Sequence, residues 1–195
     1  MCVALGARLR RADRREQIVL AATRAFAQGG FAATSLDTVA AEAGVSRVIV
    51  YRHFESKADL YRAVLDRVNT RLLAACGEGG FTDDTIAELV KVAVDDPDGF
   101  RLMFQYSARE AEFESETSEL RAEMTSITRA ELGDRVTDPA WAAWAAQLCP
   151  IVAIEAIIAW LDSGEPDPDR AAEAIRSAVA AVIRSAQRTG VVRAS

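Results

Sequence analysis

The sequence predicts an all-α chain with two parts: a small N-terminal three-helix unit built around a helix-turn-helix, followed by a larger helical domain. Three observations carry that expectation. Apolar residues recur at helical spacing along nearly the whole chain, with no stretch of strand-like alternation. Alanine dominates while Gly (11) and Pro (5) are few in 195 residues, and alanine is the strongest helix former. Helix-start chemistry recurs as Asp96-Pro97, Asp138-Pro139 and Asp167-Pro168, where Asp satisfies free N–H groups and Pro at the first helical position loses no hydrogen bond.

The first helix is expected over Arg14–Gln28, with Ile18, Ala22, Ala25 and Phe26 on one face and Gly29-Gly30 ending it. Thr34-Ser35-Leu36-Asp37 reads as a capping box that opens a short helix with Leu36, Val39, Ala40 and Ala43 inward. Gly44 stops that helix, Val45 plugs the angle, and Ser46 caps a third helix over Arg47–His53. A second capping box, Ser56-Lys57-Ala58-Asp59, opens a helix to about Cys76. The glycines Gly77, Gly79 and Gly80 mark a candidate hinge. Further helices are expected near Thr82–Val94, Pro97–Ser107, Phe113–Leu132, Pro139–Leu161, with a kink or break at Pro150, and Pro168–Arg188. In domain terms, residues 1–13 form a basic extension, 14–60 the helix-turn-helix domain, and 61–195 the second domain.

Charge divides the same way. Residues 1–60 hold nine Lys/Arg against six Asp/Glu, a net +3, and the remainder holds fourteen against twenty-three, a net −9. A basic head on an acidic body implies that the head alone approaches a polyanion. The cysteines Cys2, Cys76 and Cys149 are sparse and lack ligand spacing, which implies a reducing, cytoplasmic setting, no disulfide framework and no metal site. The N-terminus lacks the charge order of a signal peptide. The most apolar stretch, Pro150–Leu161, is too short to span a bilayer, so no membrane partner is expected. No phosphate-cradling glycine loop, histidine-based triad or cofactor motif is present, which argues against an enzyme. His53, the only histidine, has no partner for metal binding or catalysis.

A helix, a glycine turn and a second short helix make a helix-turn-helix, whose second helix enters the DNA major groove. In Arg47–His53, Val50 and Phe54 share a face and should point inward. Arg47 with Tyr51, and Val48 with Arg52, remain to meet double-stranded DNA. Arginine can grip a guanine edge with two hydrogen bonds. Tyr51, His53, Lys57 and Thr34 can bond phosphates, and the helix N-termini at Thr34 and Ser46 favour anions. The arginines Arg8, Arg10, Arg11, Arg14 and Arg15 form either a minor-groove arm or a frayed tail.

The run Arg15–Leu65, and within it "AATSLDTVAAEAGVS" and "YRHFESKADLY", resembles the DNA-binding region of the tetracycline-repressor (TetR) family. The resemblance covers about 50 residues of the 195. It implies a homodimer on a palindromic operator, repressing transcription until a small molecule binds the C-terminal domain. It places Arg47, Val48 and Arg52 where the family reads bases, with Ile49 beside them, and Thr34, Ser46, Tyr51, His53 and Lys57 at the backbone. The family commonly has a small residue and then threonine where this chain has Val48 and Ile49; the two apolar groups could pack on thymine methyls. The last two helices resemble the family's dimeric four-helix bundle, with Leu148, Ile151, Ile158, Ala174, Ala178, Val179, Val182 and Ile183 at the interface. Two-fold symmetry would set the reading helices ~34–36 Å apart. Phe100, Met103, Phe104, Trp141 and Trp144 are the candidate lining of a largely apolar effector pocket, against the simpler reading that they fill the core. Two alternatives stand beside this reading: an interaction module that has lost DNA binding or ligand response, and a small helical enzyme.

Overall fold

The computed structural model describes residues 10–76, 84–107 and 110–192, which are helical with short connections and contain no strand. The Gly77, Gly79 and Gly80 hinge, and residues 1–9 of the basic extension with Arg8, lie outside the described residues. The chain divides into two compact units between Arg67 and Val68.

The N-terminal unit is built from α1 (Arg11–Ala33), α2 (Leu36–Glu42), α3 (Arg47–Tyr51) and the start of α4 (Lys57–Cys76). The stripe Ile18, Ala22, Ala25 and Phe26 is buried, as its spacing requires. Phe26 meets Tyr61 edge-on at 4.9 Å between ring centres, and Phe31 meets Tyr61 at 5.1 Å. Gly30 interrupts α1 with a left-handed, non-helical backbone (φ 72°, ψ 167°), as the Gly29-Gly30 ending requires, and residues 31–33 add one further turn beyond the kink. Gly44 takes φ 64° between α2 and α3, a left-handed turn that a Cβ would strain.

The capping expectation at Thr34 requires correction. Thr34 is 4% exposed, and its hydroxyl donates to the carbonyls of Ala25 (3.1 Å) and Gly30 (2.7 Å), tying down the bend of α1. Ser35 caps α2 in its place, accepting from the Thr38 N–H at 3.0 Å. Ser46 occupies the N-cap of α3 without a side-chain cap bond. Ser56 does cap α4, accepting from Asp59 N–H at 3.0 Å, while Asp59 accepts from Glu55 N–H at 3.2 Å.

The C-terminal unit comprises the rest of α4, α5 (Thr85–Asp95), α6 (Pro97–Arg101), a π-helical turn (Leu102–Tyr106), α7 (Glu114–Leu132), α8 (Pro139–Asp162) and α9 (Pro168–Val192). Asp96, Asp138 and Asp167 each accept from N–H groups of the helices they precede. α8 packs against α7 and α9, and α5 packs against α9. Its core includes Leu132, Val136, Ala145, Ala146 and Ala186, with Trp141 and Val182 laid over them.

Pro150 does not break α8, which is continuous over 24 residues. That helix is long and apolar enough to cross a bilayer by length and composition, which the 12-residue stretch in the sequence did not suggest. Its apolar character has a local cause on one side, where Ala145, Ala146, Cys149, Ala153 and Ile157 are buried in the unit. Burial in this apolar setting pushes the Cys149 thiol up to about 11, so it stays protonated.

Candidate nucleic-acid interface

The reading surface starts from what α3 must bury. Val50 is fully buried and Phe54 is 1% exposed, and these two anchors turn the opposite face of α3 outward. Val48 is 68% exposed, the most open large apolar side chain among those described, and Tyr51 is 46% exposed. Arg47, Arg52 and Ser46 are exposed, and Ile49 is half-buried at the edge of the same surface. The helix-turn-helix is fixed from behind: Gln17 Nε2 of α1 donates to the Ala43 carbonyl at 2.7 Å, and Arg14 donates to Gln17 Oε1 at 2.9 Å.

Two groups stand out among the arginines of this unit. Arg10, Arg24, Arg47 and Arg67 pair with Asp13, Glu42, Asp37 and Glu16. Such exposed pairs contribute roughly 0–1 kcal/mol each, so they orient side chains more than they hold the fold. Arg11, Arg14, Arg15 and Arg52 have no carboxylate partner among the described residues. All four act on His53: burial lowers its pKa first, and the charges of Arg11, Arg15, Arg52 and Arg14 lower it further. The imidazole is therefore neutral near pH 7, inside a ring of unneutralised cations at the start of α1 and the end of α3. Arg15 also lies over the Phe54 ring at 5.0 Å.

Arg47 is exposed but held. Its Nη1 donates to Asp37 Oδ2 at 3.0 Å, its Nη2 donates to the Tyr51 hydroxyl at 3.1 Å, and its guanidinium sits 5.2 Å from the Tyr51 ring centre. The Tyr51 hydrogen bond, then the Asp37 charge, raise its pKa, so it is a permanent cation.

Two of the residues expected at phosphates are already engaged within the unit. Thr34 is buried, as described above, and its hydroxyl is not available to a ligand; Ser35 and Thr38 present exposed hydroxyls at that helix start. Lys57 donates to the Phe31 and Ala32 carbonyls at 2.7 and 3.2 Å and lies 4.4 Å from the Phe31 ring centre, closing the end of α1. Reasoning from sequence missed Asp37 as the partner of Arg47, because ten residues and a turn separate them.

In the C-terminal unit, a groove of about 480 Å³ lies among the π-helical turn, α7 and α8. Phe104, Met124, Pro150, Ile151 and Ile154 form its apolar walls, and Arg121, Thr125, Gln147 and Glu155 supply polar groups. Of the five aromatic and methionine residues expected at a pocket, Phe104 lines this groove. Phe100 and Met103 are buried and fill the core. Trp141 covers the core cluster and stacks edge-on with Trp144 at 5.3 Å, and Trp144 is 39% exposed.

The expected dimer face divides too. Ile158 and Val179 are each 4% exposed and belong to the protomer's own core, while Val182 and Ile183 are half-buried against it. Ala174 and Ala178 are exposed on α9, Leu148 is half-buried and Ile151 is 54% exposed on α8.

The sequence model for bacterial regulatory proteins of the tetR family matches residues 18–64, which span α1 to α4. The chain is 35% identical over 108 residues to the transcriptional activator FasR of Mycolicibacterium smegmatis, covering 51% of this chain and 49% of that protein. It is 47% identical over 55 residues to the transcriptional repressor Rv3405c of Mycobacterium tuberculosis, covering 28% of this chain and 29% of that one. The matched region thus spans about half or less of these curated relatives. In fold, the chain superimposes on a TetR-like transcriptional regulator from Rhodococcus sp. RHA1 with a TM-score of 0.72 at 23% identity, over 88% of this chain and 96% of that one. Residues 18–64, which carry the helix-turn-helix of α2 and α3, thus form a DNA-binding domain of the kind found in bacterial regulatory proteins of the tetR family.

Proposed function

We propose that the protein is a cytoplasmic transcriptional regulator that binds a palindromic operator as a homodimer and is released from it by a small molecule. The observation that carries this is the outward face of α3, where Val48, Tyr51, Arg47 and Arg52 stand exposed over two buried anchors, with Arg11, Arg14 and Arg15, like Arg52, lacking an acidic partner among the described residues. Arg47 and Arg52 would hydrogen-bond base edges, Val48 and Ile49 would meet thymine methyls, and Ser46, Tyr51 and His53 would contact the backbone with Arg11, Arg14 and Arg15.

The homodimer reading is supported by α8. Only 44% of its most apolar 18-residue window is buried within the protomer. Trp144, Leu148, Ile151 and Val152 leave an apolar stripe, beside the small exposed Ala174, Ala178 and Ala181 of α9. A second copy of the same two helices would cover it, small residues allowing close approach, as in four-helix packing.

The groove at Phe104 has the size of a small-molecule site. Its apolar walls with Arg121 and Glu155 at hand suit a mainly apolar effector carrying one or two polar groups. Such a molecule changes DNA affinity only by preferring one dimer conformation over another. Repression is the proposed sense of regulation; FasR is named an activator and Rv3405c a repressor.

The test is a titration of the full chain with a duplex enriched by it from a randomised pool, and with a scrambled duplex, at several salt concentrations. Tighter binding to the enriched duplex, weakening steeply with salt, is expected. Equal binding to both duplexes, or none, overturns the reading.

A further inference from the structure

The base-reading arginine at the start of α3 is clasped before any DNA arrives. Asp37, in the first turn of α2, accepts from Nη1 at 3.0 Å, the Tyr51 hydroxyl accepts from Nη2 at 3.1 Å, and the Tyr51 ring lies beneath the guanidinium. The arginine and aspartate side chains remain 61% and 57% exposed, so the clasp sits on the reading surface itself. We propose that Asp37 is a specificity-determining positioning residue: with Tyr51 it fixes the plane of the Arg47 guanidinium, so that the remaining donors meet one base edge in one orientation. This deepens the proposed DNA-binding function and rests on it.

A guanidinium carries five N–H donors in a fixed fork. Two are engaged by Asp37 and Tyr51, which leaves three, and a guanine edge takes two. An unbraced arginine at the first position of a five-residue helix would sample many rotamers and follow whichever acceptor is near, base or phosphate. The brace removes that freedom before binding, so a mismatched base pair meets donors that cannot swing aside to a substitute partner.

The same carboxylate has an opposite effect on affinity. Placed at the interface, it repels every phosphodiester backbone, whatever the sequence. Asp37 therefore raises contrast between duplexes while lowering affinity for all of them. The arginines about His53 do the reverse: without carboxylate partners, they attract any duplex alike.

The experiment uses the full chain, a duplex enriched by the wild-type protein from a randomised pool, its single base-pair variants, and a scrambled duplex. Asp37→Asn should tighten binding to the scrambled duplex, steepen the salt dependence, and cut discrimination at one base pair in each half-site by about three-fold or more, given what a bidentate arginine contact carries. Tyr51→Phe should lower the same discrimination without tightening the scrambled duplex, since it removes no charge. In an Arg47→Ala background, Asp37→Asn should leave discrimination unchanged, which a merely structural role for Asp37 would not predict. Unchanged discrimination in Asp37→Asn, or an equal loss with and without Arg47, overturns the inference while leaving the DNA-binding reading standing. Failure of the wild-type chain to enrich any duplex overturns both.

Discussion

The two units solve opposite problems with the same helical material. The N-terminal unit, residues 10–67, closes its core on large aromatic groups: Phe26, Phe54 and Tyr61 are each 1% exposed or less. That dense core lets a five-residue helix, far too short to be stable alone, hold Arg47, Val48 and Arg52 outward on a rigid base. The C-terminal unit, from Val68 on, has longer helices but leaves apolar surface open, at a groove beside Phe104 and along α8. The first unit is finished as a monomer and offers charge; the second is unfinished and offers apolar surface. Rigidity behind the exposed face of α3, and openness at the groove and along α8, is the division the proposed function needs.

Substitutions can break this contrast, starting with the largest effect. Phe26→Ala would empty the centre of the aromatic core and should cost about 3–5 kcal/mol, read as a large fall in Tm by circular dichroism and a loss of DNA binding at 37 °C. Ala178→Arg on the open face of α9 should instead abolish the proposed dimer, read as a monomer in analytical ultracentrifugation, leaving protomer helicity intact, because an exposed substitution disturbs no core. Gly44→Ala comes next. The φ of 64° demands a left-handed residue, so a cost of about 1–2 kcal/mol is expected, with loosened placement of α3 measurable as faster amide exchange there.

The contrast was legible in sequence to different depths. The Asp-Pro starts at 96–97, 138–139 and 167–168 were readable because the donor, acceptor and ring all lie within four residues. The inward turn of Val50 and Phe54 was readable from their spacing. Thr34 was not: its hydroxyl is drawn away from the cap by the Ala25 and Gly30 carbonyls, which depends on the bend in α1. The bonds of Lys57 were not readable either, since they reach carbonyls 25 and 26 residues back in the chain. Among the candidate pocket residues, burial of Phe100 and Met103 and exposure of Trp144 are decided by which helices meet. Composition identifies such residues as apolar and says nothing of the side they cover. The pairing of Arg47 with Asp37 is non-local in the same sense.

The smallest expected effect concerns His53. Its folded pKa lies below the ordinary 6.5, so the unfolded chain binds the proton more readily. Above 6.5 neither state holds it and stability is unaffected. As pH falls through 6.5 the unfolded state gains protons first, and stability declines until the lowered folded value is passed. His53→Gln should flatten that decline, visible as a reduced change of Tm between pH 7 and pH 5. A Tm profile unchanged by the substitution would show that neither burial nor the arginines shift the imidazole.

The central claim is that each unit leaves its exposed apolar group for a different partner: Val48 at 68% for DNA, Trp144 at 39% for a second copy. Photo-crosslinking from a benzoylphenylalanine placed at either position, in the full chain with its enriched duplex, tests it most directly. The account predicts protein–DNA adducts from position 48 and covalent protein dimers from position 144. Protein dimers from position 48, or DNA adducts from position 144, would contradict it.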